Sequence, residues 1–199
     1  QRITMKRIYF SILSFFLFST TLLFGTEYTI ETVPNVHLQN AKAFVSNPDA
    51  ILSPSAEQQI NLLLDSLQTK TSAEVAVVAV NSIGDADIKQ FATALFEHWG
   101  IGKREKDNGL LILFVLDQRK ITFETGYGLE GILPDAICKR IQTRYMLPEF
   151  KTENYDKGML QGLNAIYHRL STPEAQDELW VQSQTAQEDW GKVLQYYAI

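Results

Sequence analysis

The chain has 199 residues, of which 45% are apolar and 21% are charged, and its formal net charge is −5. This composition is typical of a globular protein and excludes disordered, collagen-like and disulfide-framework chains. The negative charge argues against a nucleic-acid binder, which needs a basic surface. A single cysteine, Cys138, excludes an internal disulfide and any metal site built from several cysteines.

Residues 5–25 have the pattern of a secretory signal peptide or an N-terminal anchor. Two basic residues, Lys6 and Arg7, precede the uncharged stretch 8–24, which is rich in phenylalanine and leucine. The stretch is nearly long enough to span a bilayer, so cleavage and retention as an anchor both remain open, with cleavage favoured. We therefore expect an exported protein, either periplasmic or associated with the membrane of the cell envelope.

The chain after this segment is predicted to form a linker over residues 26–33 and one folded domain over residues 34–171. Ser53 and Pro54 predict the start of a first helix, because serine is a favoured N-cap and proline fits the first helical position. The apolar run at 75–80 predicts a strand that is buried on both faces.

A second helix and a hairpin follow. Asp87 is predicted to cap the second helix, and Gly100 is predicted to end it. The fully apolar stretch 110–116 predicts a second buried strand. The alternation of apolar and polar residues over 119–125 predicts its antiparallel partner.

Two more helices complete the predicted domain. Asp135 is expected to cap the third helix, which carries Tyr145 on its buried face and ends at Pro148, and Asn154 is expected to cap the fourth. The order of elements predicts an α/β fold, namely a three-layer α/β/α sandwich with a mixed central sheet. Residues 172–199 form an acidic and polar tail, interpreted either as one more helix or as a stalk that leads to a membrane helix outside this sequence.

Two loops that contain glycine, 100–109 and 126–135, carry the candidate functional residues. Glycine permits unusual backbone shapes and lets backbone amides approach an anion. The loops contain three carboxylates, Asp107, Glu130 and Asp135. Carboxylates are hard oxygen donors suited to calcium or magnesium, provided that the fold brings the two loops together. The first loop also contains Lys103 and Arg104, which are candidate substrate-binding residues for a phosphate oxygen.

Local structural roles also account for several of these residues. The Asp-Asn-Gly sequence at 107–109 is an ordinary turn, and Asp135 is an ordinary helix cap. Cys138 is expected to be a packed core thiol, because no pattern of basic neighbours activates it. On the spacing alone, the structural and the metal-binding interpretations both remain open.

The loop at 126–131 matches the G-x-G-x-x-G pattern of dinucleotide-binding proteins. In those proteins a helix begins within the pattern, whereas here residues 132–134 intervene before the third helix. The preceding strand is also half of a hairpin, and no acidic residue ends a strand about 20 residues later. No nucleotide cofactor is therefore expected.

Several short motifs occur together in one order along the chain. They are Leu52-Ser53, Glu74-Val75-Ala76-Val77-Val78, Phe96-Glu97-His98-Trp99-Gly100-Ile101-Gly102, Asp107-Asn108-Gly109-Leu110-Leu111, Glu124-Thr125-Gly126-Tyr127-Gly128-Leu129-Glu130, Asp135, Pro148-Glu149-Phe150 and Tyr155-Asp156-Lys157-Gly158. In this order the chain resembles the TPM domain family over roughly residues 34–170. The family includes thylakoid-lumen photosystem II repair proteins and bacterial exported proteins.

The resemblance implies an α/β/α sandwich, divalent-metal binding in some members and phosphatase activity in a plant member. The family's acidic site falls on Asp107, Glu130 and Asp135 of this sequence. The predicted function is therefore an exported cell-envelope module that binds calcium or magnesium and acts on or protects membrane-protein partners. The alternative is a metal-dependent phosphatase of the cell envelope, with Asp107 as a catalytic base or nucleophile.

Overall fold

A computed structural model describes residues 26–102 and 107–172 of the chain. Its strands are β1 (Val45–Ser46), β2 (Glu74–Val80), β3 (Gly109–Val115) and β4 (Lys120–Thr125). Its helices are α1 (Pro54–Thr71), α2 (Ile88–Trp99), α3 (Asp135–Ile141), α4 (Leu147–Phe150) and α5 (Tyr155–Ser171). Short 3-10 turns occupy Val36–Leu38 and Tyr127–Leu129, and the π-helical turn Gln142–Met146 joins α3 to α4.

Three predictions fall outside the described residues. They concern the signal peptide or anchor at 5–25, the basic residues Lys103 and Arg104, and the tail from residue 173 onward. No helix in the described part of the chain is both long and apolar enough to cross a membrane.

The four strands form one mixed sheet in the order β1-β2-β3-β4. β1, β2 and β3 are parallel, and β4 runs antiparallel to β3, with Ile112 opposite Val77 on one side and Phe123 on the other. All seven residues of β3 are buried. The central apolar strands and the hairpin are therefore confirmed.

Helices cover both faces of the sheet. On one face Val75, Val77 and Ala79 pack with residues of α1, α3 and α5. On the other face Val78 and Val80 pack with residues of α2. Side chains alternate between the two faces of a strand, so a continuous apolar run serves both layers. The predicted three-layer sandwich is confirmed.

The segment before α1 contributes to the fold. Tyr28 and Val33 are buried in the α2 layer, the Tyr28 backbone N donates a hydrogen bond to the Ser82 carbonyl at 2.9 Å, and the Tyr28 hydroxyl donates to Asp49 at 3.2 Å. Residues 26–33, predicted to be a linker, thus pack against the domain. The edge strand β1 also lies in a region whose polar sequence gave no strand signal.

The start of α1 and both ends of α2 lie where the sequence predicts them. The Ser53 hydroxyl accepts a hydrogen bond from the Ala56 backbone N at 3.2 Å. The Asp87 carboxylate accepts hydrogen bonds from the backbone N atoms of Lys89 and Gln90, both at 3.0 Å. Gly100 ends α2 with φ 61°, a left-handed conformation that favours glycine.

The ends of α3, α4 and α5 differ from the prediction. Pro134 takes the N-cap position, and Asp135 is the first residue of α3, where a carboxylate still favours the helix dipole. Pro148 does not end α3 but lies in the first turn of α4, directly after the π-helical turn. Asn154 holds the N-cap position of α5, but its side chain donates to Thr152 and does not cap the helix.

Tyr145 is not on the buried face. It is 37% exposed, whereas the next residue, Met146, is fully buried. A π-helical turn contains more residues than an α-helical turn, so it rotates the apolar stripe by about one position. The sequence pattern assumed a regular α-helix and therefore assigned the wrong residue to the core.

Candidate functional site

The two glycine loops lie side by side at the end of the β3–β4 hairpin opposite its turn. The Gly126 backbone N donates to the Gly109 carbonyl at 2.9 Å, and the Gly128 backbone N donates to the Asp107 carbonyl at 3.0 Å. These bonds continue the antiparallel pairing beyond Leu110 and Thr125. The fold thus brings together the two loops that the sequence analysis singled out.

Glycine is required where the loop backbones cross. A Cβ atom at Gly126 would overlap the Asp107 carbonyl, and a Cβ atom at Gly109 would overlap the Ile101 carbonyl. Gly102 has φ 98°, a conformation that side-chain-bearing residues rarely adopt. The loops therefore approach each other backbone to backbone, at distances that no larger residue permits.

Two polar side chains anchor the first loop. Glu74, at the start of β2, accepts a hydrogen bond from the Gly102 backbone N at 2.9 Å. Asn108 is buried, and its amide donates to the Ser72 carbonyl at 2.6 Å. Sequence reasoning missed both roles, because the partners lie 28 and 36 positions apart and no local pattern links them.

The three predicted metal ligands are all on the surface of the paired loops. Asp107 is exposed and has a left-handed backbone with φ 44°. Glu130, which follows the 3-10 turn, and Asp135, which begins α3, are also exposed. Within residues 26–102 and 107–172, no group of three or more histidine, cysteine, aspartate or glutamate side chains is arranged to hold a metal ion.

Cys138 lies beneath the second loop as a core thiol, as predicted. It is 4% exposed, and its Sγ donates to the Leu133 carbonyl at 3.3 Å. Burial raises the pKa of the Cys138 thiol, because the apolar surroundings disfavour the charged thiolate. A thiol in this state is a poor nucleophile, so Cys138 serves packing.

An apolar groove of about 220 Å³ lies beside the start of β2. Because β1 pairs only with Val77 and Val78, the residues Glu74 to Ala76 extend beyond β1 along the groove. Trp99 at the end of α2 and the 84% exposed Leu38 also line it. Gly100 and Ile101 of the first loop also line this groove, but none of the three predicted metal ligands does.

The fold and these loops define a three-layer α/β/α domain with paired glycine loops at one end of a mixed sheet. The family model of the TPM domain matches residues 45–169, and the chain belongs to the TPM domain family. A search of curated proteins gives no significant match.

Solved structures of bacterial proteins share the fold. The N-terminal domain of a protein from P. gingivalis, solved by solution NMR, is 41% identical, with a TM-score of 0.69 over 73% of this chain and 92% of that one. The BA42 protein of the psychrophilic bacterium Bizionia argentinensis is 18% identical, with a TM-score of 0.55 over 63% of this chain and 86% of that one. The N-terminal domain of cg2496 from Corynebacterium glutamicum is 15% identical, with a TM-score of 0.54 over 72% of this chain and 88% of that one. The last two show the fold alone.

Proposed function

We propose that this chain is an exported module of the cell envelope that holds calcium or magnesium at its paired loops and acts on or protects membrane-protein partners. The observation that carries the proposal is the pair of backbone hydrogen bonds, from Gly128 to Asp107 and from Gly126 to Gly109, that joins the two acidic loops. The cation ligands would be Asp107, Glu130 and Asp135.

The donor chemistry of the loops fits a hard divalent cation. Calcium takes six to eight oxygen ligands from carboxylates, backbone carbonyls and water, and it tolerates irregular geometry. The three carboxylates are exposed, so their side chains can turn toward an ion without the loss of a packing contact. Backbone carbonyls and water would supply the remaining ligands.

The partner-binding part of the proposal is supported by the apolar groove beside β2. Exposed strand edges bind extended peptides through backbone hydrogen bonds, and neighbouring apolar pockets add specificity. Here the edge of β2 beyond β1 lies next to Trp99 and Leu38. The groove gives an extended segment of a partner both kinds of contact.

The metal site is tested by the melting temperature of the full chain in calcium, magnesium or EDTA. A cation that binds only the native state stabilises it by about 2.7 kcal/mol at a hundredfold excess over Kd. We expect calcium or magnesium to raise the melting temperature of the unmodified chain. Asp107→Asn and Asp135→Asn should abolish this increase, and Glu130→Gln should reduce it less, because water can replace one ligand. Asp117→Asn is the matched control, since Asp117 is an exposed acid at the opposite end of the hairpin.

The increase in melting temperature on addition of calcium or magnesium should be retained in the Asp117→Asn variant. Identical melting curves of the unmodified chain in all three solutions would show that these acids are only turn and helix-start residues.

The phosphatase alternative is measured in the same samples with p-nitrophenyl phosphate. Metal-dependent turnover that Asp107→Asn removes favours the enzyme, whereas a thermal response without turnover favours the binding module.

A further inference from the structure

A cationic groove of about 860 Å³ lies between the α3–α4 segment and α5. Its basic residues come from both sides: Arg140 and Arg144 from α3 and the π-helical turn, and His168 and Arg169 from α5. In the described part of the chain, no aspartate or glutamate lines it. This is unexpected in a protein whose acidic residues outnumber its basic ones by 23 to 18.

The groove is built from two helical faces that point at each other. The face of α5 consists of Gln161, Asn164, Ala165, His168 and Arg169. The opposite face consists of Ile137, Arg140, Ile141, Arg144 and Tyr145. The α5 residues follow the spacing i, i+3, i+4, i+7, i+8, which places them on one side of a helix. On the opposite side, α3 contributes Ile137, Arg140 and Ile141, and the π-helical turn contributes Arg144 and Tyr145. Three arginines and one histidine thus face the same groove, whereas Lys139 of α3 and Lys157 of α5 do not line it.

The π-helical turn puts Arg144 and Tyr145 into this groove. It directs Met146 into the core, where Gly162 of α5 leaves room for the Met146 side chain. The two preceding residues then face the groove, and the Arg144 guanidinium lies 5.8 Å from the centre of the Tyr145 ring. Such π-helical turns occur frequently at functional sites.

The guanidinium groups of Arg140 and Arg144 are available to a ligand. Both residues are exposed, and neither forms an ion pair with another described residue. The situation of Lys89 is different, because a 2.7 Å ion pair with Glu124 neutralises it. An anion that entered the groove would meet the guanidinium groups of Arg140 and Arg144, which no described carboxylate already occupies.

We propose that this groove binds the phosphate group of a small phosphorylated ligand. Guanidinium groups match phosphate oxygens with two parallel hydrogen bonds, and the several terminal oxygens of a phosphate can be contacted from both helices at once. A carboxylate has only two oxygens, which one arginine satisfies. A flat membrane surface would reach only the rim of a groove between two helices, so a discrete ligand fits the shape better.

The test is calorimetric titration of the full chain with glycerol 3-phosphate, in EDTA and at constant ionic strength. The EDTA removes any cation at the glycine loops, so the result does not depend on the function proposed above. We expect Arg140→Gln/Arg144→Gln to weaken binding about a hundredfold or more, because a hydrogen bond to a charged group accounts for about tenfold or more in affinity. Arg119→Gln/Lys151→Gln is the control, because it removes the same charge from exposed positions outside the groove.

The control variant should bind as the unmodified chain does, and acetate should bind much more weakly than glycerol 3-phosphate. Since both arginines are exposed, the melting temperature of the double variant should be nearly unchanged. Equal loss of binding in the two double variants would show general charge attraction and overturn the proposal. Arginine-dependent binding to phosphatidylglycerol vesicles, without binding of glycerol 3-phosphate, would also overturn it.

Discussion

At the scale of single residues, the loops depend on glycines whose role is steric. Gly126 and Gly109 lie where the backbone of one segment contacts the backbone of another, and a methyl group at either position would overlap a carbonyl oxygen. Gly131, in the same loop as Gly126, has no atom within 4 Å of the position that its Cβ would take. Glycines in one loop thus differ in whether the fold needs them.

This difference gives a prediction about stability. Gly126→Ala should lower the free energy of unfolding by about 2 kcal/mol, within the range of about 1–3 kcal/mol for the insertion of extra atoms into a packed site. The loss arises because the Asp107 carbonyl belongs to the backbone and cannot turn aside. Urea denaturation of the full chain measures it.

Gly131→Ala is the matched control and should leave the unfolding midpoint nearly unchanged. An equal loss of stability in both variants would mean that backbone freedom, and not the close approach to Asp107, makes glycine necessary at position 126.

At the scale of elements, α2 is positioned by its two ends. The Asp87 carboxylate satisfies two backbone N–H groups at its start, and Gly100 ends it in a left-handed conformation. Between the two ends, Phe91, Ala92 and Leu95 are buried against the sheet. Local signals set the length of this helix, and its apolar face determines where it packs.

The start of α2 gives a second prediction. Asp87→Ala should destabilise the protein by about 1 kcal/mol, the usual cost of the loss of a capping carboxylate. For a protein of this size the change corresponds to about 2–4 °C in melting temperature. Asp85→Ala removes an exposed acid two residues earlier and should change stability by less than about 0.5 kcal/mol. Equal shifts for the two variants would indicate a general charge effect rather than helix capping.

At the scale of the whole molecule, the sheet joins segments that are far apart in the chain. β1 pairs with β2 across about thirty residues, and β2 pairs with β3 through all seven residues of each strand. The two faces of this sheet hold separate cores, one with α1 and α5 and the other with α2 and the segment around Tyr28. The glycine loops lie at one end of the sheet, where β2 and β3 begin and β4 ends.

The expected cellular location is a prediction about the whole chain. With residues 5–25 intact, the protein should be found outside the cytoplasm, because a basic start followed by an apolar stretch directs export. Removal of these residues should leave the domain inside the cell. Cell fractionation and immunoblotting measure the distribution. Intact chain found soluble and at full length in the cytosol would contradict the prediction.

The sequence by itself determined most of the secondary structure and the three layers. Continuous apolar runs specify strands that are buried on both faces, and Ser53, Asp87 and Gly100 mark helix ends through hydrogen bonds to residues within one turn. The candidate loops could also be found from the sequence, since glycines and carboxylates occur together in them. These signals are readable because each depends on neighbours in the chain.

Only the tertiary structure decided the features that depend on distant residues. The strand β1 exists because Ser46 lies opposite Val78, and Glu74 orders the first loop from another part of the chain. The π-helical turn forms where Met146 packs against Gly162, and it thereby moves Tyr145 from the core to the surface. The cationic groove likewise needs α3 and α5 side by side. Each feature arises from contacts between residues that are separated along the chain, and such contacts leave no periodic pattern in the sequence.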